Sequence, residues 1–114
     1  MSLYADYIKE RQNIETLECE KAFVTYEIYP DLKELYLMDV YVDPKYRRTG
    51  ILRGYFNKIV EIAKEANCNF IMGSVDMSTK NWQKMEKIMI NEGFDFSHKF
   101  RDNMLFYKKD VRNG

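Results

Sequence analysis

The sequence predicts a mixed α/β fold in which one sheet of five or six strands packs with helices. The chain has 114 residues, the length of one ordinary domain. Its apolar residues follow a strand-like pattern in some stretches and a helical period in others. Near the middle, a strand, a helix and another strand come in direct succession, as in a strand–helix–strand unit. We therefore expect a single domain over residues 1–114.

The N-terminal part predicts one helix followed by strands. Residues 2–12 have apolar side chains at helical spacing behind Ser2, which can cap a helix. Residues 14–29 are rich in β-branched and aromatic types, so they predict a two-stranded hairpin with its turn near Glu20 and Lys21. The stretch LYLMDVYV, residues 35–42, is the most convincing strand.

The middle of the chain predicts a helix and a buried strand. From Ile51 the apolar residues fall on one helical face, and Asn67 can end the helix in a left-handed conformation. The stretch CNFIMGSVD, residues 68–76, is nearly all apolar, as expected for a strand that is covered on both faces.

The last third predicts a helix and two strands. Ser78 or Thr79 can cap the helix, and Gly93 can end it. Its apolar stripe consists of Trp82, Met85, Ile88 and Met89, which read as core residues. Two strands joined near Asp102 and Asn103 complete the sheet.

Composition limits the classes of partner and compartment. Lys plus Arg equals Asp plus Glu, 18 each, so net charge predicts no bulk attraction to nucleic acid or to an anionic membrane. The two cysteines, Cys19 and Cys68, lack a paired spacing and suit a reducing compartment, although sequence leaves a disulfide open. The N-terminus lacks the apolar run of a signal peptide. These features favour a cytoplasmic protein.

Positive charge is concentrated where the central strand meets the next helix. Lys45, Arg47, Arg48 and Arg53 lie within nine residues, and Gly50 lies among them. A helix N-terminus presents unpaired N–H groups and partial positive charge, which favours phosphate, and glycine lets a ligand approach the backbone. The junction is therefore a candidate anion site. The alternative is a solvated basic turn.

The stretch LYLMDVYVDPKYRRTGI, residues 35–51, resembles the central motif of the GNAT superfamily of acyl-CoA N-acyltransferases. In that family a strand ending near Val-x-Pro is followed by Tyr-Arg and the pattern Arg/Gln-x-x-Gly-x-Gly/Ala. NEGF, residues 91–94, resembles the end of the family's second conserved helix. The resemblance covers residues 14–110 and implies a mixed, mostly antiparallel sheet with helices on both faces and a reduced N-terminal part.

The resemblance also implies acetyl-CoA as co-substrate. Val40, Tyr41 and Val42 match the strand that faces the pantetheine arm. Asn81, with Ser78 and Thr79, lies near the polar cofactor contacts of the family. The residues that match the pyrophosphate loop are Arg47, Arg48, Thr49, Gly50, Ile51, Leu52 and Arg53. Leu52 departs from the pattern, because the family has Gly or Ala at that position.

Asp39 is the candidate catalytic base, since it matches an aspartate of the small-amine branch of the family. Met38 replaces the neighbouring glutamate of that branch. Strand alternation places Leu37, Asp39 and Tyr41 on one face, and Met38 and Val40 on the other. A structural carboxylate that caps a loop or pairs with an arginine is the alternative reading of Asp39.

The acid that protonates the leaving thiolate is harder to assign. Many family members use a tyrosine four residues before the helix-ending glycine, but that position is Met89 here, which has no proton to donate. Tyr41 is the candidate substitute, and Tyr107 or water are alternatives. His98 is the only histidine, and no His, Cys, Asp and Glu residues have the spacing of a metal site.

The leading hypothesis is an acetyl-CoA-dependent N-acetyltransferase acting on a primary amine of a small molecule or peptide. Glu34, Asp39 and Asp43 would give this acceptor an acidic approach. The alternative is a catalytically silent domain that binds a protein partner, or CoA without turnover. Nucleic-acid binding ranks third, and a homodimer is expected only by analogy with the family.

Overall fold

The computed structural model describes residues 2–12 and 14–112 and contains three α-helices and six strands within them. The N-terminal elements are α1 (Leu3–Gln12), β1 (Glu15–Glu18), β2 (Ala22–Tyr29) and β3 (Glu34–Val42). After a single 3-10 turn at Pro44–Tyr46 come α2 (Ile51–Glu65), β4 (Phe70–Asp76), α3 (Trp82–Asn91), β5 (Asp95–Phe100) and β6 (Met104–Asp110). The predicted order of helices and strands is confirmed.

Local chemistry explains where the helices begin and end. The Ser2 hydroxyl accepts a hydrogen bond from Ala5 N at 3.0 Å, which is the predicted cap of α1. Asn67 (φ 61°) and Gly93 (φ 91°) both adopt the left-handed conformation just after α2 and α3. The N–H of the following residue, Cys68 or Phe94, then bonds back to a carbonyl of the last helical turn, as in a Schellman motif.

One helix start is wrong in the sequence prediction. α3 begins at Trp82, after Asn81 in a left-handed conformation, and not at Ser78 or Thr79. The N–H and hydroxyl of Ser78 instead donate to Asp76 Oδ1, at 2.9 and 2.6 Å. Ser78 therefore caps the end of β4, because the carboxylate it can bind lies only two residues away.

The sheet has the order β1-β2-β3-β4-β6-β5. Every neighbouring pair is antiparallel except β3 and β4, which are parallel and are connected through α2. The mixed, mostly antiparallel sheet is the predicted fold class, and the prediction is confirmed. Within the described residues, no helix is long and apolar enough to span a membrane.

β3 contains a bulge that changes which side chains share a face. Thr25 pairs with Asp39 and Tyr26 pairs with Leu37, so Met38 is an extra residue without a partner on β2. The predicted alternation is therefore wrong: Leu37 lies on the face opposite to Asp39, because the bulge shifts the parity of the strand after it.

The core lies on one face of the sheet, beneath α2 and α3. Leu35 and Leu37 reach it before the bulge, and Val40 and Val42 pack against it after the bulge. The other face carries Tyr36 and, beyond the bulge, a run of polar and aromatic side chains. The largest fully buried side chains are Tyr107, Phe94, Leu35, Ile59, Ile71 and Val24.

The cysteines are both free thiols. Cys19 is exposed in the turn between β1 and β2, whereas Cys68 is buried after α2. The disulfide that sequence left open is therefore absent. No cluster of three or more His, Cys, Asp or Glu side chains in residues 2–12 and 14–112 could hold a metal ion.

Candidate functional site

The two parallel strands separate shortly after they begin to pair. β3 and β4 are paired only from Glu34 with Phe70 to Tyr36 with Met72. Beyond that pair, β3 has no partner on its β4 side, while β4 stays paired with β6 up to Asp76. The gap between the strands is a cleft of about 820 Å³. It exposes the backbone edge of β3, which is an incomplete β-ladder.

A loop with an unusual backbone closes the end of the cleft at the C-terminus of β3. Arg48 (φ 67°) and Gly50 (φ 85°) are both left-handed, on either side of Thr49. The N–H groups of residues 48–53 have no hydrogen-bond acceptor among the described residues. The first turn of α2 contains no acidic side chain. These N–H groups and the helix dipole make this loop, residues 47–53, a concave anion site, and we call it the anion loop.

Positive side chains line the cleft from two walls. Arg47 and Arg48 come from the loop, and Lys80 and Lys84 come from the approach to α3 and its first turn. None of these four is in an ion pair with a described residue. Asp76 is the acidic residue in the lining. The cleft therefore favours a ligand with several negative charges.

Asp76 is held rigidly at the end of β4. Its Oδ1 accepts hydrogen bonds from the Ser78 N–H and hydroxyl, and from Asn103 Nδ2 at 3.2 Å. These hydrogen bonds lower the pKa of Asp76, and those from Ser78 have the largest effect. The Asp76 carboxyl is therefore ionised at neutral pH. Its Oδ2 has no partner among the described residues and is free to meet a ligand.

The predicted loop and strand residues divide into two groups. Thr49 and Arg53 do not line the cleft: the Thr49 hydroxyl donates to the Tyr46 carbonyl, and Arg53 Nε donates to Glu92 Oε1 at 3.2 Å. Arg47 lines it while its Nε donates to the Val42 carbonyl at 3.0 Å. The predicted cofactor residues that line the cleft are Val40, Val42, Arg47, Arg48, Gly50, Ile51, Leu52 and Asn81.

Leu52, the departure from the motif, has a structural explanation. Its side chain is half-buried and packs against the core, in contact with the space bounded by Val24, Leu37 and Val40. A bulky residue is therefore accommodated because it fills the layer between α2 and the sheet. It also lines the cleft, so it adds an apolar wall there.

Asp39 and Tyr41, the predicted catalytic residues, project from the other face of β3. Asp39 Oδ2 accepts a hydrogen bond from the Thr25 hydroxyl at 3.1 Å. Tyr41 is 47% exposed and stacks on Phe23, with 5.6 Å between ring centroids. Neither side chain lines the cleft. They flank its open edge, because they lie on the strand whose backbone forms that edge.

The predicted acidic approach is not a cluster. Glu34 lies at the start of β3 and Asp43 lies beyond its end. Asp43 Oδ1 accepts a hydrogen bond from Lys45 N at 3.0 Å, so this carboxylate caps the 3-10 turn. Only Asp39 among the three lies beside the open edge of β3.

Met89, which occupies the family's tyrosine position, and Tyr107, an alternative proton donor, both lie in the interior. Met89 is 3% exposed and belongs to the core. Tyr107 is 1% exposed, and its hydroxyl donates to Glu86 Oε2. Burial, together with the Glu86 carboxylate, raises the pKa of Tyr107. Tyr107 does not line the cleft, so it cannot act there as an acid.

Several cleft residues were not identified from sequence. Trp82, Met85 and Ile88 were predicted as core residues, yet they line the cleft as well as packing against the core. A helical stripe looks the same in both cases, so no sequence signal separates them. The other lining residues that sequence analysis did not assign to a site are Tyr46, Ser74, Val75, Asp76, Lys80 and Lys84.

Sequence comparison decides the family. The sequence model of the acetyltransferase (GNAT) family matches residues 21–95, which include β2, β3, the anion loop, α2, β4 and α3. The chain belongs to the GNAT acetyltransferase family. No curated protein sequence matches it.

Solved GNAT structures have the same fold. An acetyltransferase from Bacillus cereus is 18% identical, with a TM-score of 0.66, and the match covers 96% of this chain and 93% of that one. A Bacillus subtilis acetyltransferase in complex with CoA is 12% identical, with a TM-score of 0.70 and coverage of 92% and 82%. The ribosomal-protein-S18-alanine N-acetyltransferase of Escherichia coli is 14% identical, with a TM-score of 0.70 and coverage of 97% and 77%.

This chain spans less than two thirds of some other GNAT structures. It spans 65% of a GNAT-family protein from Desulfovibrio desulfuricans, with 83% of its own length matched, a TM-score of 0.72 and 13% identity. It spans 58% of nourseothricin acetyltransferase. At these identities the structural matches establish the shared fold.

Proposed function

We propose that this chain is an acyl-CoA-dependent N-acetyltransferase that takes acetyl-CoA as its donor and a primary amine as its acceptor. The observation that carries the proposal is that the free backbone edge of β3 leads, at its C-terminal end, to the anion loop with its positively charged arginines. Family membership and GNAT structures described with CoA support the choice of donor.

The residues present fit CoA. The unpaired N–H groups of residues 48–53 and the cations Arg47 and Arg48 would hold its pyrophosphate. A Cβ at Gly50 would meet no protein atom within 4 Å, so the space above this residue is left for a ligand. The amide-containing pantetheine arm would bond to the backbone edge of β3 beyond Tyr36, as an added strand would.

Bound acetyl-CoA supplies an activated acetyl thioester, and the residues of this chain supply orientation and proton transfer. Val40, Val42 and Leu52 form apolar walls that limit water around the pantetheine arm. N–H groups on the free edge of β3 would polarise the acyl carbonyl. Asp39, fixed by the Thr25 hydroxyl, would accept a proton from the acceptor amine, directly or through water.

Two glycines in the same region make a matched test of donor binding. Gly50→Ala adds a methyl group to the anion loop, and Gly54→Ala adds one to α2 where nothing lies within 4 Å. We expect Gly50→Ala to weaken acetyl-CoA binding at least about tenfold, whereas Gly54→Ala leaves it unchanged. Calorimetric titration with acetyl-CoA, with ATP as the control ligand, measures both.

Arg48→Gly separates charge from backbone strain, because glycine keeps the left-handed conformation of this position. We expect it to weaken binding and to reduce the salt dependence of the affinity. Equal affinities for wild type, Gly50→Ala and Arg48→Gly would reject the anion loop as the donor site.

The competing hypothesis is a domain that binds CoA, or a protein partner, without turnover. Met89 in place of the family's tyrosine favours it, whereas the position of Asp39 beside the open β3 edge favours the enzyme. Release of free thiol from acetyl-CoA in the presence of a panel of primary amines distinguishes them. CoA binding with no thiol release above the amine-free rate, for any amine or peptide, would favour the silent domain.

A further inference from the structure

We propose that Ser74 and Tyr36 form the proton donor for the leaving sulfur of the acyl donor, in place of the tyrosine that α3 lacks. The proposal rests on the proposed function, because it assumes that CoA occupies the cleft. It depends on a contact that spans the two strands: the Tyr36 hydroxyl donates to Ser74 Oγ at 2.9 Å.

The contact lies at the closed end of the cleft. Tyr36 pairs with Met72 in the last pair of the parallel ladder, and Ser74 lies two residues further along β4. The anion loop lies at the opposite end, after Val42. A ligand whose phosphates bind that loop and whose arm follows the free edge of β3 therefore points its far end toward Ser74. In CoA the far end of the arm is the sulfur.

Ser74 also has the right chemistry for this position. The strand residues that line the cleft are Val40, Val42, Ser74, Val75 and Asp76. The valines have no side-chain proton to donate, and Asp76 is ionised at neutral pH. Ser74 is therefore the one strand residue of the lining that can donate a side-chain proton. Ser74 Oγ accepts from Tyr36, and its own proton has no acceptor among the described residues. That proton is therefore available to a ligand atom.

The transfer balances with the groups present. As the acyl C–S bond breaks, the sulfur leaves with the electron pair and takes the Ser74 hydroxyl proton. Ser74 Oγ takes the phenol proton of Tyr36 in the same step, and Tyr36, which is only half-buried, recovers a proton from water. Ser74 is the catalytic residue in this scheme, and Tyr36 is a positioning residue that acts through it.

The test measures the thiol of bound CoA and does not require the acceptor. The ultraviolet absorbance of the thiolate is followed as a function of pH for each protein saturated with CoA. The same protein saturated with desulfo-CoA is subtracted, which removes the signals of the protein thiols and tyrosines. A hydrogen bond donated to a thiolate lowers the pKa of the thiol.

We expect Ser74→Ala to raise the pKa of the bound thiol by about one unit, with unchanged affinity for desulfo-CoA. Tyr36→Phe should raise it in the same direction by less, and Ser74→Thr should keep the wild-type value. Thr79→Val, which removes another hydroxyl from the cleft lining, is the matched control and should cause no change.

Three results would overturn the proposal. If Ser74→Ala leaves the thiol pKa unchanged, the contact between Ser74 and Tyr36 has only a structural role in joining β3 to β4. If Ser74→Ala weakens the binding of CoA and of desulfo-CoA equally, the conclusion is the same. Tyr36→Phe provides an independent variant if Ser74→Ala does not fold. If wild type binds neither CoA nor desulfo-CoA, the proposed function fails together with this inference.

Discussion

The terminal methyl group of Met89 occupies the space above Gly73. A Cβ built on Gly73 would lie 2.5 Å from Met89 Cε, closer than any real contact allows. The pair joins α3 to β4 at the layer of the core where the family's tyrosine position falls. Met89 is therefore a packing residue whose position requires glycine on the strand below it.

Gly73→Ala should destabilise the fold by about 1–3 kcal/mol, because the added methyl group forces Met89 to move within a packed core. Met89→Val shortens the opposing side chain, so the double variant should lose less than the sum of the single variants. Urea unfolding of the four proteins measures the coupling free energy. Strictly additive losses would mean that residues 73 and 89 do not compete for this space.

Gly54→Ala should raise the free energy of unfolding by about 0.5–1 kcal/mol. Gly54 lies in the first turns of α2 with nothing within 4 Å of an added Cβ, so alanine gains helix propensity without a clash. Gly50→Ala should have the opposite sign, with a loss of about 1–2 kcal/mol, since residue 50 is left-handed. Urea unfolding checks both; a stable Gly50→Ala would contradict the left-handed loop.

Cys19 should react with iodoacetamide much faster than Cys68 at neutral pH. The Tyr55 hydroxyl, which donates to the Ala22 carbonyl at 3.2 Å, lies near the Cys19 thiol, and the Lys21 N–H donates to Cys19 Sγ at 3.4 Å. Tyr55 first and then Lys21 lower the pKa of Cys19, which is exposed, whereas burial raises the pKa of Cys68. At neutral pH the thiolate fraction of Cys19 is therefore higher than that of Cys68. Burial and the contact with Cys19 raise the pKa of Tyr55 to about 12, so this hydroxyl keeps its proton throughout the assay range.

Tyr55→Phe removes the hydroxyl near this thiol and should move the pH profile of Cys19 alkylation to higher pH. Peptide mass spectrometry after timed alkylation gives the rate at each cysteine. Cys68 in the same sample is the internal control for unfolding. An unchanged profile for Cys19 would show that Tyr55 does not donate to the thiol in solution.

The helices and strands of this fold are predictable from sequence because their signals are local. Ser2, Asn67 and Gly93 mark helix ends through their own side chains or backbone freedom, without reference to the rest of the chain. The predicted start of α3 is wrong because the Ser78 hydroxyl can form either of two local hydrogen bonds, one from a helix N–H and one to Asp76. Which of the two hydrogen bonds forms depends on the residue at which β4 ends, and the local sequence pattern does not give that residue.

The site was only partly predictable for the same reason. The motif around Arg48 and Gly50 is contiguous in sequence, so its loop could be located. The bulge at Met38 has no glycine or other marker, and it alone decides that Val40 faces the cleft while Asp39 faces away. Ser74 lies in an apolar strand, and its proposed role depends on a hydrogen bond from Tyr36, 38 residues earlier in the chain. Such a long-range contact leaves no local sequence signal.

The separation of β3 from β4 also has a consequence for how the chain folds. The sheet consists of two three-stranded halves, β1-β2-β3 and β4-β6-β5, and each half is formed by one continuous section of the chain. Among the residues that the structure describes, three ladder pairs of β3 and β4 join the halves. Contacts within β1-β2-β3 close short loops, whereas the pairs between β3 and β4 close a long loop across α2 and cost more chain entropy. The pairs between β4 and β6 close a loop of similar length across α3 and β5. We expect β1-β2-β3 to form early and its junction with β4 later, so the cleft marks a boundary that is closed late in folding.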